Sequence, residues 1–354
     1  MDRQEELNHI LKNIVPIDAK ALEEGKSYCD RLAKPLGALG KMEKMYARLH
    51  AMFPDNIQLT KKMVMIYVAD NGVCDEGISS NPIETTFIVA NNIRNGKAGV
   101  ANIAEHAGSD ICVIDIGCKS PIDPDNPDHI LNGTRNMLKE PAMTRQEALE
   151  AILVGYRRTV ELINQGYTLF GTGEMGVGNT TTSAAVIAAT LGLPAQEVTG
   201  YGAGVTEKMK AHKTTVIQKA VTNHAPYRDI IDLASKVGGL DMLGMVGTYL
   251  ACAQYQLPCV IDGLISLTGL LIASQLKKEV LDYCFPSHCS TEPGYRIVSD
   301  YLGLSPMLQM DMRLGEGSGC PLAFFLMESS VYTIEHMPTF EEGKLHRDDY
   351  VDIR

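Results

Sequence analysis

The stretch TLFGTGEMGVGNTTTS occupies residues 168–183. Leu169 and Phe170 form a short apolar run that ends in glycine. Gly171, Gly173, Gly176 and Gly178 punctuate the next eight residues, and the small helix formers Ala184, Ala185, Ile187, Ala188 and Ala189 lie beyond the threonines. The pattern predicts a strand, a glycine loop and a helix. Glycines allow positive φ and close approach of a ligand to the main chain. The N–H groups and dipole of the helix start then suit a phosphate. Gly173 to Thr180 also mimics the spacing G-x-x-x-x-G-K-[ST], with Asn179 in place of the lysine. A neutral amide cannot neutralise a β/γ-phosphate pair, and Glu174 adds a negative charge to the loop. A cradle for one phosphate is therefore favoured over a degenerate P-loop of a nucleotide-binding or NTPase protein.

Working outward, strands alternate with helices. MVMIYVAD (63–70), ICVIDIG (111–117), the glycine-loop strand and CVIDG (259–263) read as buried parallel strands, with a further strand at Leu281–Phe285. Helical spacing predicts helices at about 83–106, 145–165, 207–222, 228–237, 264–276 and 318–336. Residues 119–143, rich in proline and polar side chains, read as a long excursion. This alternation predicts an α/β fold with a doubly wound parallel sheet, whose ligand sits beyond the carboxyl ends of the strands. Asp70, Asp115 and Asp262 each close a strand there; each could serve a ligand or cap the next helix. Before the sheet, residues 2–14, 18–33 and 41–52 are helical, with the breaker cluster KPLGALG (34–40) between the last two. Residues 339–354 are charged and read as surface.

Net charge is −11, without a basic block, which argues against a nucleic-acid partner. No apolar run reaches the ~18 residues of a membrane span. The polar start and nine scattered cysteines without a C-x-x-C pair predict reduced thiols in the cytoplasm. Neither cysteines nor histidines cluster at ligand spacing, so no metal is expected.

A second chemical stretch reads DMRLGEGSGC, residues 311–320. Glu316 stands between Gly315 and Gly317, close to an apolar run. Partial desolvation would raise its pKa and make it a better base near neutral pH. Alternatively, Glu316 only complements the dipole of the following helix.

GEMGVGNTTTSAA (173–185) together with MRLGEGSGCPLAF (312–324) resembles the nicotinate-nucleotide–dimethylbenzimidazole phosphoribosyltransferases. KPLGALGKME (34–43), ADNGVCDEGIS (69–79), VTGYGAG (198–204), VIDGLIS (260–266) and STEPGY (290–295) match that family in order and spacing. The resemblance implies a large Rossmann-like domain (56–337) with helices on both faces of its sheet. It also implies a small helical domain built from 1–55 and 338–354. It implies transfer of phosphoribose from nicotinate mononucleotide to a lower-ligand base, without a cofactor. Glu316 would be the general base and Glu174 a second catalytic carboxylate. Gly176, Gly178, Asn179, Thr180, Gly202, Gly204 and Lys213 would hold the ribose phosphate, and Arg313 the nicotinate carboxylate. Met175 and Leu314 would give the aromatic acceptor an apolar slot that Ile88 approaches, and Ser79, Ser80 and Gly315 would be further substrate-binding residues. Two departures stand out: Asn71 where relatives have histidine, and Ile88 where they often have glutamine. Loss of that amide would suit a phenolic acceptor, or one subunit of a heterodimer in place of the family's homodimer.

Overall fold

The computed structural model describes residues 2–347, 350 and 352. Five parallel strands form one sheet in the order β2-β1-β3-β4-β5. They are β1 (Lys62–Ala69), β2 (Asp110–Gly117), β3 (Leu169–Met175), β4 (Cys259–Ile261) and β5 (Cys284–Pro286). The run expected at Leu281–Phe285 begins as a 3₁₀ turn over Lys278–Tyr283, so β5 is shorter and later than its sequence suggested. The chain leaves β1 for β2 on one side and returns to β3 on the other. Val68 pairs with Met175, so the ends of β1 and β3 flank this switch point, where α/β sheets open a crevice.

Successive residues of β3 face opposite layers, as the period of two requires. Thr172 Oγ1 meets Tyr249 Oη at 2.7 Å on one face. On the other, a Cβ at Gly171 would lie 2.6 Å from Cys320 Cβ. Tyr249 belongs to α11 (Leu240–Gln254), and Cys320 to α14 (Gly319–His336). The α11 layer continues through α6 (Arg145–Asn164), where a Cβ at Gly155 would lie 1.9 Å from Gly244 O. α1 (Arg3–Asn13) packs on α6 and α11. Beside α14 on the opposite face, α4 (Thr85–Arg94) and α5 (Gly99–His106) cover β1 and β2. The single helix expected over 83–106 is thus two, broken at Asn95-Gly96, where Gly96 takes φ of 71°. α2 (Ala19–Asp30) and α3 (Lys41–Met52) pair with each other, and α3 packs on α14. Leu32 and Thr339 form a main-chain bridge that ties the two chain ends together.

α7 (Asn179–Leu191) packs against the short α8 (Ala195–Val198) and α9 (Glu207–His224). α10 (Ile230–Val237), α12 (Leu264–Leu276) and α13 (Pro293–Tyr301) complete the layers. No helix among the described residues is long and apolar enough to cross a membrane.

Candidate active site

β3 ends in Glu174 and Met175, and the chain then turns through Gly176–Gly178 into α7. Gly178 has φ of 88°, and a Cβ there would strike Cys74 Sγ at 2.6 Å. Asn179, in the place a P-loop gives to lysine, points inward. Its Nδ2 donates to Glu174 Oε2 and, at 3.0 Å, to Asp241 Oδ2. Two buried carboxyls behind the loop oppose a polyphosphate, so the degenerate P-loop reading gains no support. Asn71 is buried, and its Nδ2 donates to Val177 O at 3.2 Å. It braces the loop from behind rather than facing the cavity.

The loop's cation comes from α9. Lys213 is 1% exposed, and its Nζ donates to Thr180 Oγ1 at 2.7 Å. Burial lowers its pKa to about 8, while Glu292 opposes that shift. A Cβ at Gly202 would fall 2.8 Å from Thr180 Oγ1 and 3.5 Å from Lys213 Nζ, so this glycine leaves the ammonium room.

Across the cavity, Gly315, Glu316 and Gly317 take φ of 80°, 63° and 87°. Positive φ at a non-glycine residue is strained and needs support from its surroundings. Support comes from three sides. A Cβ on Gly173 would meet Glu316 O at 2.4 Å, so the turn rests directly on the β3 main chain. Glu174 accepts the Glu316 backbone N–H. Glu316 Oε2 accepts the Val100 N–H at 3.1 Å, at the start of α5. The Glu316 carboxyl is nearly buried, and burial raises its pKa against the pull of the Val100 and Gly99 amides. It is therefore a stronger base than an exposed glutamate.

Other acids gather behind the cavity. Burial, with repulsion from Asp241, lifts Glu174 to about 8. Burial lifts Asp262 to about 7 and Asp241 to about 6. Glu174 is thus harder to ionise than Asp241, and it accepts from Asn179 Nδ2 and from the Glu316 N–H. A site with this field favours positive charge on a bound ligand.

One cavity brings together Ser79, Glu174, Met175, Gly176, Gly178, Asn179, Thr180, Gly202, Lys213, Arg313, Leu314, Gly315 and Glu316. Three expected residues lie outside its lining. Gly204 follows the lining residue Ala203 with no atom within 4 Å of a Cβ built there. Ser80 is displaced from the wall while its neighbours Ser79 and Asn81 line it. Ile88 is 57% exposed. α4 presents Thr85 and Val89, one turn apart, to the cavity, and the intervening position 88 points away. The polar contact supposed lost at Ile88, and with it the case for a phenolic acceptor, is not supported by this geometry.

Of the strand-closing acids, Asp115 and Asp70 serve the main chain. Asp115 accepts from Gly117, Cys118 and Ile122, and Asp70 from Lys119. Asp262, left open between a ligand role and a cap, does line the cavity, and so do His288 and Glu292, which had not been placed in the site from sequence. The strand end at Asp262 was the available signal. Glu292 accepts the Gly202 N–H at 2.9 Å, on the loop beside Lys213.

Comparison with known proteins identifies the family. A phosphoribosyltransferase family model matches residues 14–345. The nicotinate-nucleotide–dimethylbenzimidazole phosphoribosyltransferase of Clostridium tetani is 40% identical, covering 98% of each chain. That of Geobacter sulfurreducens is 41% identical, covering 97% of this chain and 99% of its own. The crystal structure of CobT from Thermus thermophilus superposes with a TM-score of 0.88 at 35% identity, over 93% of this chain and 99% of that one. With its glycine loop, its glycine-borne glutamate and this full-length similarity, the chain belongs to the nicotinate-nucleotide–dimethylbenzimidazole phosphoribosyltransferase family.

Proposed function

We propose that the chain moves the 5-phosphoribosyl group of nicotinate mononucleotide onto 5,6-dimethylbenzimidazole or a close benzimidazole. Nicotinate leaves, and α-ribazole phosphate forms. The observation that carries this reading is a buried glutamate on a strained turn, across one cavity from a phosphate loop with a buried lysine.

In this reading Lys213, Thr180 and the Gly176–Gly178 main chain hold the phosphate. The acceptor ring lies between Met175 and Leu314, with Val89 and Thr85 beside it. Its nitrogen attacks C1′ as the bond from C1′ to the pyridine nitrogen breaks. The electron pair leaves with nicotinate, and Glu316 takes the acceptor N–H proton. Positive charge builds at C1′ on the way, and the Asp241 carboxylate behind the cavity favours it. Arg313, at the mouth, offers a counter-charge to the nicotinate carboxylate.

We place this reaction in the cytoplasm, a reading supported by nine free cysteines. We read the assembly as a dimer, supported by Phe325 and Tyr332, two exposed rings two turns apart on α14.

The test is a panel of benzimidazoles, purines and phenols assayed with nicotinate mononucleotide, scoring free nicotinate and ribosylated product. Dimethylbenzimidazole should be the preferred acceptor. Glu316→Gln should bind nicotinate mononucleotide normally and turn over roughly 10²–10⁴-fold more slowly. Near-normal turnover by that variant would remove Glu316 from the role of base.

A further inference from the structure

Asp262 follows β4 directly and is 2% exposed. Its Oδ2 accepts the Gly317 N–H at 3.1 Å, and its Oδ1 the Gly319 N–H at 2.7 Å. These two amides bracket the exit from the strained turn and the first residue of α14. That helix has no cap of its own: Ser318 stands at the capping position without a side-chain cap bond, and its buried hydroxyl lacks a partner among the described residues. A carboxylate from another strand therefore takes the part normally played by a capping side chain. The fit is tight. A Cβ on Gly319 would lie 2.4 Å from His288 Nδ1, 2.6 Å from Ser287 Oγ and 2.9 Å from Asp262 Oδ1. Three successive residues at positive φ do not hold themselves in place. Gly173 and Glu174 support the turn from β3, and Asp262 anchors its far end to β4.

We propose that Asp262 is the positioning residue for Glu316: it caps α14 from β4 and so fixes the turn that aims the base into the cavity. This inference rests on the reading of Glu316 as general base. It predicts an effect on turnover and not on nucleotide binding, because the amides its carboxyl binds, those of Gly317, Gly319 and the adjacent Gly263, belong neither to the glycine loop nor to the Lys213 helix.

The experiment uses the full chain and four proteins: D262N, E316Q, the double variant, and D262S as a second probe of the site. In D262N one acceptor oxygen becomes an NH₂ group facing an amide donor. Each protein is measured for kcat, for KM with nicotinate mononucleotide, and for calorimetric binding of that nucleotide. D262N should lose about 10- to 100-fold in kcat, the size of a lost hydrogen bond to a charged group, with nucleotide affinity within about twofold of wild type. D262S, which can satisfy only one of the two amides, should behave alike. The double variant should be no slower than E316Q, since a residue acting through another adds nothing once its target is gone. Losses that multiply in the double variant would overturn the proposal, as would D262N turnover at the wild-type rate. Loss of nucleotide binding in both D262N and D262S would overturn it too, making Asp262 a residue of the fold at large. Normal turnover by E316Q would instead defeat the underlying base assignment, whatever Asp262 does.

Discussion

Replacing Lys213 with methionine separates the stability of the empty protein from its affinity for phosphate. The lysine is 1% exposed, and its ammonium donates to the neutral hydroxyl of Thr180. Burial lowers its pKa from 10.5 to about 8. At 1.36 kcal/mol per pKa unit, holding the charge inside costs the empty protein on the order of 3 kcal/mol. The sign follows from the direction of the shift. The folded pKa lies below the unfolded one, so the cost is full below pH 8 and fades as pH rises toward 10.5. A bound phosphate supplies the missing counter-charge, and a charge-assisted hydrogen bond contributes about 1.5–3 kcal/mol. Lys213→Met should therefore leave the empty protein no less stable at pH 7, and up to about 3 kcal/mol more stable. It should weaken nicotinate mononucleotide by roughly 10- to 150-fold and leave nicotinate riboside unaffected. In the wild type, nucleotide affinity should fall above pH 8 as Lys213 deprotonates; in the variant that fall should vanish. Calorimetric titrations with both ligands at pH 7 and pH 9.5, with denaturant unfolding of the empty proteins, make the comparison. Equal losses for nucleotide and riboside would refute the reasoning, and so would a clearly destabilised empty variant.

Gly173→Ala should push the β3 main chain off the Glu316 turn, because the obstructing atoms at 2.4–2.6 Å are backbone. Unfolding should show a loss of roughly 1–3 kcal/mol, with kcat reduced more than KM is raised; a wild-type kcat would contradict the packing argument. Ile88→Gln should leave the ratio of kcat/KM for phenol and dimethylbenzimidazole unchanged, whereas Thr85→Val, on the cavity wall, should shift it; the reverse result would place the acceptor elsewhere. Arg135 donates to both oxygens of Glu147 and holds its carboxyl near 2. The stabilisation from this pair is present above about pH 4.5 and is lost as pH falls toward 2. Arg135→Ala should accordingly flatten the acid limb of stability against pH, read from urea midpoints between pH 5 and pH 2.5.

Much of this architecture could be read from side-chain pattern. Buried strands closing on glycine or aspartate placed the sheet, and Glu174 and the glycine-bracketed Glu316 fell at its open end. What escaped the sequence escaped for identifiable reasons. α11 is apolar all round, so it carries no helical period. Its aspartate, Asp241, stayed invisible with it. The break at Asn95-Gly96 was masked by apolar residues that keep helical spacing on either side. Asp262 was visible as a strand end, yet nothing local tells a cap on the next helix from a cap on one more than fifty residues later. Ile88 shows the converse fault. Its position relative to Ser79 suggested the acceptor wall, but α4 turns that residue outward and gives the wall to its neighbours at 85 and 89.

The turn bearing Glu316 leans on the main chain of Gly173 and is tied down by the amides of Gly317 and Gly319. The slot proposed for the acceptor, in contrast, is walled by the side chains of Met175, Leu314, Val89 and Thr85. On the proposed reading, proton abstraction is built into backbone geometry that few substitutions can alter, while the choice of ring rests on side chains open to exchange. A lineage can therefore drift from one lower ligand to another by repainting the slot, with the reactive centre left in register throughout.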